Sequence, residues 1–156
     1  MSTENGLKSR IQADINDAVR AGDELLKSTL RMALAAIMNA EVAGAEAVVL
    51  SDDQIINLLR SEVKKRAESA DIYEQAGRAD SAAKERKEME IIEKYLPAAM
   101  DADALAAIVA EEVANAAANG QTGPKAMGGV IKAVKERVGA SADGSAIAAA
   151  VKSALN

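Results

Sequence analysis

The sequence predicts an all-α protein in two parts, an N-terminal bundle of about four helices in residues 1–97 and a small three-helix domain in residues 98–156. Apolar residues recur at helical spacing along almost the whole chain. No stretch alternates apolar and polar residues between turn signals, as a half-buried strand would. The segment "PAAMDAD", which begins at Pro97, reads as a linker between the two parts.

The first two helices are predicted on either side of a glycine turn. Apolar residues from Leu7 onward recur at intervals of four, and Gly22-Asp23 interrupts the pattern. The second helix runs from Leu25 to about Gly44. The positions predicted to face the core in these two helices are Leu7, Ile11, Ile15, Ala18, Val19, Leu25, Leu26, Leu30, Leu34, Ile37, Met38 and Val42.

The third and fourth helices carry clear boundary signals. Ser51 with Gln54 three residues later predicts a capping box, and Gly77 suits the left-handed position that ends a helix. Asp80 opens the fourth helix, which stops before Pro97 because the residue preceding proline is disfavoured in helical geometry. The predicted core positions of the third helix are Ile55, Leu58, Leu59, Val63 and Ile72.

Three helices are predicted in the C-terminal domain. Asp101 or Asp103 caps the fifth helix, which runs to Asn119-Gly120, and Asp143 or Ser145 caps the seventh. Pro124 suits the first turn of the sixth helix. Alanine makes up 20 of the 59 residues from 98 to 156. Because each alanine buries little apolar area, we expect this domain to be the less stable of the two.

Composition restricts the chemistry of the chain. It contains no histidine and no cysteine, so it lacks the commonest general base, the thiol nucleophile, disulfides and thiolate metal sites. No phosphate loop, dinucleotide fingerprint or EF-hand spacing is present, and we expect no cofactor. No apolar run approaches the ~18 residues needed to span a bilayer, and the first residues lack a signal-peptide core. These features predict a cytoplasmic protein with no membrane partner.

Positive charge collects on the sixth helix of a chain whose net charge is −5. Residues 98–120 contain four acids and no base, whereas residues 121–156 contain five bases and two acids. Lys132 and Lys135 are three apart and share a helix face, and Lys125 is placed in the first turn, where the helix dipole favours an anion. The candidate nucleic-acid-binding residues are Lys125, Lys132, Lys135, Arg137, Gly128 and Gly129.

The adjacent glycines of this helix have two possible explanations. Gly128 and Gly129 allow either close packing of a neighbouring helix or the approach of a phosphate backbone. Packing is the favoured explanation, because an unusual glycine generally marks the close approach of some backbone.

Other basic residues are interpreted as structural. Arg31 is expected to pair with an acid of a neighbouring helix. A cluster on the third helix is interleaved with Glu62 and Glu68 and reads as a solvated face. Its members are Arg60, Lys64, Lys65 and Arg66.

The absence of aromatic residues in the C-terminal domain selects among nucleic acids. Single strands are usually held by stacking their bases on aromatic rings. A nucleic acid bound to this domain is therefore expected to be a folded RNA, recognised by its shape and phosphates, and DNA is not expected.

Five segments, taken in order, resemble the YqeY-like proteins, which are similar to the tail domain of GatB, the B subunit of the glutamine-dependent Asp/Glu-tRNA amidotransferase. The resemblance implies a helical bundle followed by a small three-helix domain, and a role connected with tRNA. It supplies no active site, because the ligase chemistry of the amidotransferase resides in parts of GatB that this chain lacks. The segments are "TLRMALAAIMNAE" (29–41), "YEQAGRAD" (73–80), "YLP" (95–97), "AMGGVI" (126–131) and "ADGS" (142–145).

These observations leave three functions open. The first is a non-catalytic adaptor that binds tRNA through the sixth helix. The second is an interaction module without RNA affinity, docking on a tRNA-dependent enzyme such as an aminoacyl-tRNA synthetase or an amidotransferase. The third is an accessory to carbon–nitrogen ligase activity with glutamine as the amido donor. Intrinsic enzymatic activity is not expected.

Overall fold

The computed structural model describes residues 6–156 and confirms the all-α class, with no strand in that range. Contacts divide the chain into two compact units, Met1–Leu96 and Pro97–Asn156. Short 3₁₀ turns, Gly123–Ala126 and Gly139–Ser141, lie on either side of α6. The helices are α1 (Leu7–Ala21), α2 (Glu24–Val42), α3 (Asp52–Gln75), α4 (Ala79–Glu93), α5 (Ala102–Ala118), α6 (Met127–Val138) and α7 (Gly144–Leu155).

The helix boundaries in the N-terminal unit follow the predicted signals. Gly22 ends α1 with φ +69°, a left-handed conformation that favours glycine. The capping box at the start of α3 is complete: the backbone N–H of Gln54 donates to the Ser51 hydroxyl, and the backbone N–H of Ser51 donates to the Gln54 side-chain oxygen. Gly77, with φ +73°, reverses the chain between α3 and α4.

An aliphatic core holds the N-terminal unit together. Residues from all four helices meet in one cluster, completed by Tyr95, which follows α4. The Tyr95 hydroxyl donates a hydrogen bond to Asp14, and the Arg10 guanidinium lies over the Tyr95 ring. The other buried members of the cluster are Ile11, Ile15, Leu30, Ala33, Ile37, Ile55, Leu59 and Ile92.

Four predicted core positions are wrong, because these side chains are exposed by about half or more: Val19, Met38, Val42 and Ile72. The apolar repeat on each helix is wider than the strip covered by neighbouring helices. Residues at the margin of the repeat therefore remain in solvent.

Buried ions connect α3 with α4. Arg66 is buried, and its Nε lies 3.3 Å from Oε2 of Glu88 on α4. Its Nη1 lies 3.0 Å from Oε2 of Glu62, one turn earlier on α3. Each buried charge thus has a partner of opposite sign, which its removal from water requires.

A second buried carboxylate fixes the loop after α2. Glu41 accepts a hydrogen bond from the Lys8 ammonium and another, of 3.3 Å, from the backbone N–H of Leu50. The backbone N–H of Val48 donates to the Glu41 carbonyl at 2.9 Å. These bonds hold the segment after α2 against the end of that helix. The bonds to its side chain lower the pKa of Glu41 below the ordinary value of 4.5, chiefly the bond from Lys8 and then the bond from Leu50.

The C-terminal unit is a three-helix arrangement with a small aliphatic core. Asp101 caps α5 by accepting a hydrogen bond of 2.8 Å from the backbone N–H of Asp103. Asp143 occupies the position before α7. Gly139 ends α6 with φ +54° and ψ −131°, a conformation that side chains disfavour. The buried core residues are Leu105, Val109, Ala126, Val130, Val134, Val138, Ile147 and Val151.

None of the helices in residues 6–156 is long and apolar enough to cross a lipid bilayer.

Candidate nucleic-acid interface

The core-facing residues of α6 determine which of its side chains reach solvent. Val130, Val134 and Val138 recur every four residues and are buried against α5 and α7. Lys132 and Lys135 lie between these positions and are both exposed. The sequence therefore places the two lysines on the outside of the helix because its valines occupy the inside.

Lys132 and Lys135 carry charge that no carboxylate of the described residues neutralises. Within residues 6–156, neither ammonium group lies within ion-pair distance of a carboxylate. Lys135 extends toward the start of α7, where a methyl group placed on Gly144 would lie 3.8 Å from its Nζ. The two cations are thus available to an external anion.

Lys125 is not in the first turn of α6, and that prediction is wrong. It lies in the 3₁₀ turn Gly123–Ala126, which continues directly into the helix. The backbone N–H of Met127 donates to the Pro124 carbonyl, so this amide at the start of α6 is not free to bind an anion. Lys125 itself is exposed, and it too has no ion pair within the part of the chain that the structure describes.

Arg137 is held by two carboxylates of α5. Its Nη1 lies 2.7 Å from Oε2 of Glu111 and 3.1 Å from Oε1 of Glu112. These hydrogen bonds raise the pKa of the guanidinium. Arg137 was predicted to bind nucleic acid, but its charge is already neutralised within the unit. A phosphate would have to displace Glu111 or Glu112 to reach it, so we exclude Arg137 from the candidate interface.

The opposite net charges of residues 98–120 and 121–156 indicated that ion pairs such as that of Arg137 with the α5 carboxylates could form. Residues 98–120 are acidic and residues 121–156 are basic, and the two segments form adjacent helices of one unit. Which base would pair could not be predicted, because that depends on the rotation of α6 against α5.

The adjacent glycines do not serve helix packing, so the favoured explanation is wrong. Gly128 and Gly129 are exposed, and a methyl group on Gly128 would meet no atom within 4 Å. A methyl group on Gly129 would lie 3.7 Å from the side-chain oxygen of Gln121, an ordinary contact distance. The glycines thus leave backbone exposed beside Lys132, which is one turn after Gly128.

The remaining basic residues divide into paired and unpaired groups. Lys65 and Arg66 both pair with Glu62, at 3.3 and 3.0 Å. Arg66 is buried, however, so the prediction of a solvated face is wrong for this residue. Arg31 was expected to pair with an acid of a neighbouring helix, but it is exposed and forms no ion pair in the range 6–156. No group of three or more acidic residues in that range could hold a metal ion.

Comparison with known proteins identifies relatives. The chain matches the family model described as "Yqey-like protein" over residues 8–155, and this is not a known catalytic family. A protein from Clavispora lusitaniae (strain ATCC 42720), named "Altered inheritance of mitochondria protein 41, mitochondrial", is 36% identical over 98 residues, covering 61% of this chain and 56% of the relative. A protein of the same name from Pyrenophora tritici-repentis (strain Pt-1C-BFP) is 26% identical over 92 residues, covering 59% and 50%. The chain therefore spans about half the length of these curated relatives.

Both relatives are named as mitochondrial proteins, which contradicts the predicted cytoplasmic location. That prediction is wrong. It rested on the lack of cysteine and of long apolar segments. These properties bear on disulfide formation and membrane insertion, and they do not distinguish the cytoplasm from the interior of a mitochondrion.

Proposed function

The chain belongs to the YqeY-like family, and from this premise and the geometry of α6 we propose that it is an adaptor that binds tRNA without catalysing a reaction. The contact is made by the lysine surface, which we define as Lys125, Lys132 and Lys135 with the exposed backbone at Gly128 and Gly129. The observation that carries the proposal is that all three lysines are exposed and have no ion pair within residues 6–156.

Unpaired lysines favour binding of a polyanion in two ways: they release counterions from its phosphates, and they have no carboxylate partner to lose first. Each phosphate that meets a lysine releases a condensed counterion, which stabilises the complex most at low salt. An arginine already held by two carboxylates, as Arg137 is, must first lose a partner. The free lysines therefore contribute more to binding than the overall charge of −5 suggests.

The chemistry of the surface favours a folded RNA. Residues 98–156 contain no aromatic side chain on which an unpaired base could stack. The phosphate backbone of a duplex or a tertiary fold requires only positive charge and a smooth surface. Backbone without side chains at Gly128 and Gly129 provides such a surface next to Lys132.

The test is tRNA binding measured across a range of salt concentrations with Lys132→Gln/Lys135→Gln. Glutamine removes the charges without adding a carboxylate beside the start of α7. The slope of log affinity against log salt should flatten by about 0.7–0.9 for each phosphate contact that is lost. Thermal stability should change little, because both lysines are exposed.

The matched control is Lys64→Gln/Lys87→Gln. These lysines are also exposed and without an ion pair in residues 6–156, and they lie in the N-terminal unit. The control removes the same total charge. Because neither residue belongs to the lysine surface, it should leave the slope of log affinity against log salt nearly unchanged. Equal effects of the two double variants, or the absence of salt-dependent tRNA binding by the wild type, would refute the proposed lysine surface.

A further inference from the structure

Exposed apolar side chains are concentrated on one part of the N-terminal unit. Of the seven large apolar residues recorded as exposed in residues 6–156, five lie between positions 32 and 49. The extreme case is Val49, whose surface is 88% exposed. We call this surface the α2 apolar face and define it as Met32, Ala35, Met38, Val42, Val48 and Val49.

On α2, the residues of this face form a strip along one side of the helix. Ala35, Met38 and Val42 are spaced at i, i+3 and i+7 on the side of α2 opposite the buried Leu30 and Ile37. Ala35 permits closer approach of another helix than a large side chain would, because the distance between packed helices depends on the side chains at the contact. Val48 and Val49 lie in the segment that follows the helix, and the hydrogen bonds from the backbone N–H groups of Val48 and Leu50 to Glu41 hold this segment against the end of α2.

Charges of opposite sign lie before and after the α2 part of this face, which ends at Val42. Arg31 lies on α2, one turn before Ala35, and Glu46 lies in the loop just after the helix. Both are exposed, and neither forms an ion pair within the described part of the chain. When two such strips lie antiparallel, the positive end of each therefore meets the negative end of the other.

We propose that the α2 apolar face binds a second copy of this chain, with the two α2 helices antiparallel. A two-fold axis near Met38, midway in sequence between Arg31 and Glu46, brings Arg31 opposite Glu46 of the partner subunit. The symmetry repeats this pair, so one arrangement satisfies four charges. It also covers Met38 and Val42 on both copies. An unrelated partner would need an apolar strip and end charges of its own that match this face.

The test is the oligomeric state of the full chain, measured by sedimentation equilibrium from about 1 to about 200 μM, the range in which a small interface associates. The wild type should form dimers, and Met38→Glu should abolish them. Arg31→Glu and Glu46→Arg should each weaken association by about tenfold, because each turns two attractive pairs into repulsive ones. Combining the two reversals should restore the dimer.

Controls separate this proposal from misfolding and from RNA binding. Ile72→Glu replaces another exposed apolar residue outside the face, so it should leave the dimer intact. Helical circular dichroism should be the same for all variants, since every substituted side chain is exposed. Lys132→Gln/Lys135→Gln should not affect dimerisation.

A wild type that is monomeric throughout the concentration range would overturn the proposal and would indicate that a different protein covers the α2 apolar face. A double reversal that fails to restore the dimer would overturn the antiparallel pairing.

Discussion

Removing the Arg66 guanidinium should destabilise the N-terminal unit more than any surface substitution. The variant Arg66→Met keeps a similar volume and apolar stem but leaves two carboxylates without their shared cation. The Glu88 side chain is only 7% exposed, and its remaining partner is Lys84, with Nζ 3.9 Å from Oε1. The Glu62 side chain is 19% exposed and keeps Lys65. The variant therefore leaves the buried carboxylate of Glu88 without its main partner and removes one of the two ion pairs of Glu62.

The expected loss of unfolding free energy is about 3 kcal/mol. Breaking one side of a buried ion pair costs about 3–5 kcal/mol, because the remaining charge stays buried. We place Arg66→Met at the lower end of this range, since Glu62 is partly solvated and Lys84 compensates Glu88 in part. The double variant Arg66→Met/Glu88→Leu removes the stranded carboxylate as well, so it should recover most of the loss.

Urea denaturation followed by tyrosine fluorescence measures this effect. The chain has no tryptophan, and both of its tyrosines, Tyr73 and Tyr95, belong to the N-terminal unit. The signal thus reports on that unit alone. A loss below about 1 kcal/mol for Arg66→Met, or a double variant as unstable as the single one, would refute the view that a stranded buried carboxylate dominates the cost.

Three further predictions concern other sites. In Glu41→Gln, the free energy of unfolding should fall at neutral pH, and its difference from wild type should narrow below about pH 4.5 in denaturation measured across pH. The pKa of Glu41 is lower in the folded state than in the unfolded state. Its contribution to stability is therefore present above the unfolded-state pKa and lost as pH falls through the folded-state pKa. Burial and the hydrogen bond to Asp14 raise the pKa of Tyr95 above 10, so near-ultraviolet absorbance should show a tyrosine that ionises late and is absent in Tyr95→Phe. The contribution of this raised pKa to stability should be full below pH 10 and lost as pH rises from there through the higher pKa of the folded state. Gly128→Ala should stabilise the C-terminal unit by about 0.4–1 kcal/mol in thermal unfolding followed by circular dichroism, and weaken tRNA binding if phosphates approach that backbone.

The fold was predictable because its signals are local. The capping box at Ser51 and the glycines at positions 22 and 77 act through bonds and torsions within a few residues, so the sequence alone reveals them. The exposure of Val42 and Ile72 was not predictable, because it depends on how widely neighbouring helices cover α2 and α3.

The candidate interface was predictable only in part for the same reason. The shared face of Lys132 and Lys135 follows from helical geometry. The capture of Arg137 by Glu111 and Glu112 requires the three-dimensional placement of α5 beside α6. The 3₁₀ turn at Lys125 was also missed, because proline suits the start of either kind of helix.

The torsion angles of Gly139 restrict how the charge of this unit can change through single substitutions. At φ +54° and ψ −131°, a lysine or arginine at position 139 would carry a backbone strain of about 1–3 kcal/mol, comparable to the gain from a phosphate contact. Gly128 and Gly129 have ordinary helical torsions and open surroundings, so a basic side chain there adds charge without strain. Among descendants of this chain, new positive charge is thus more accessible at the beginning of α6 than at its end.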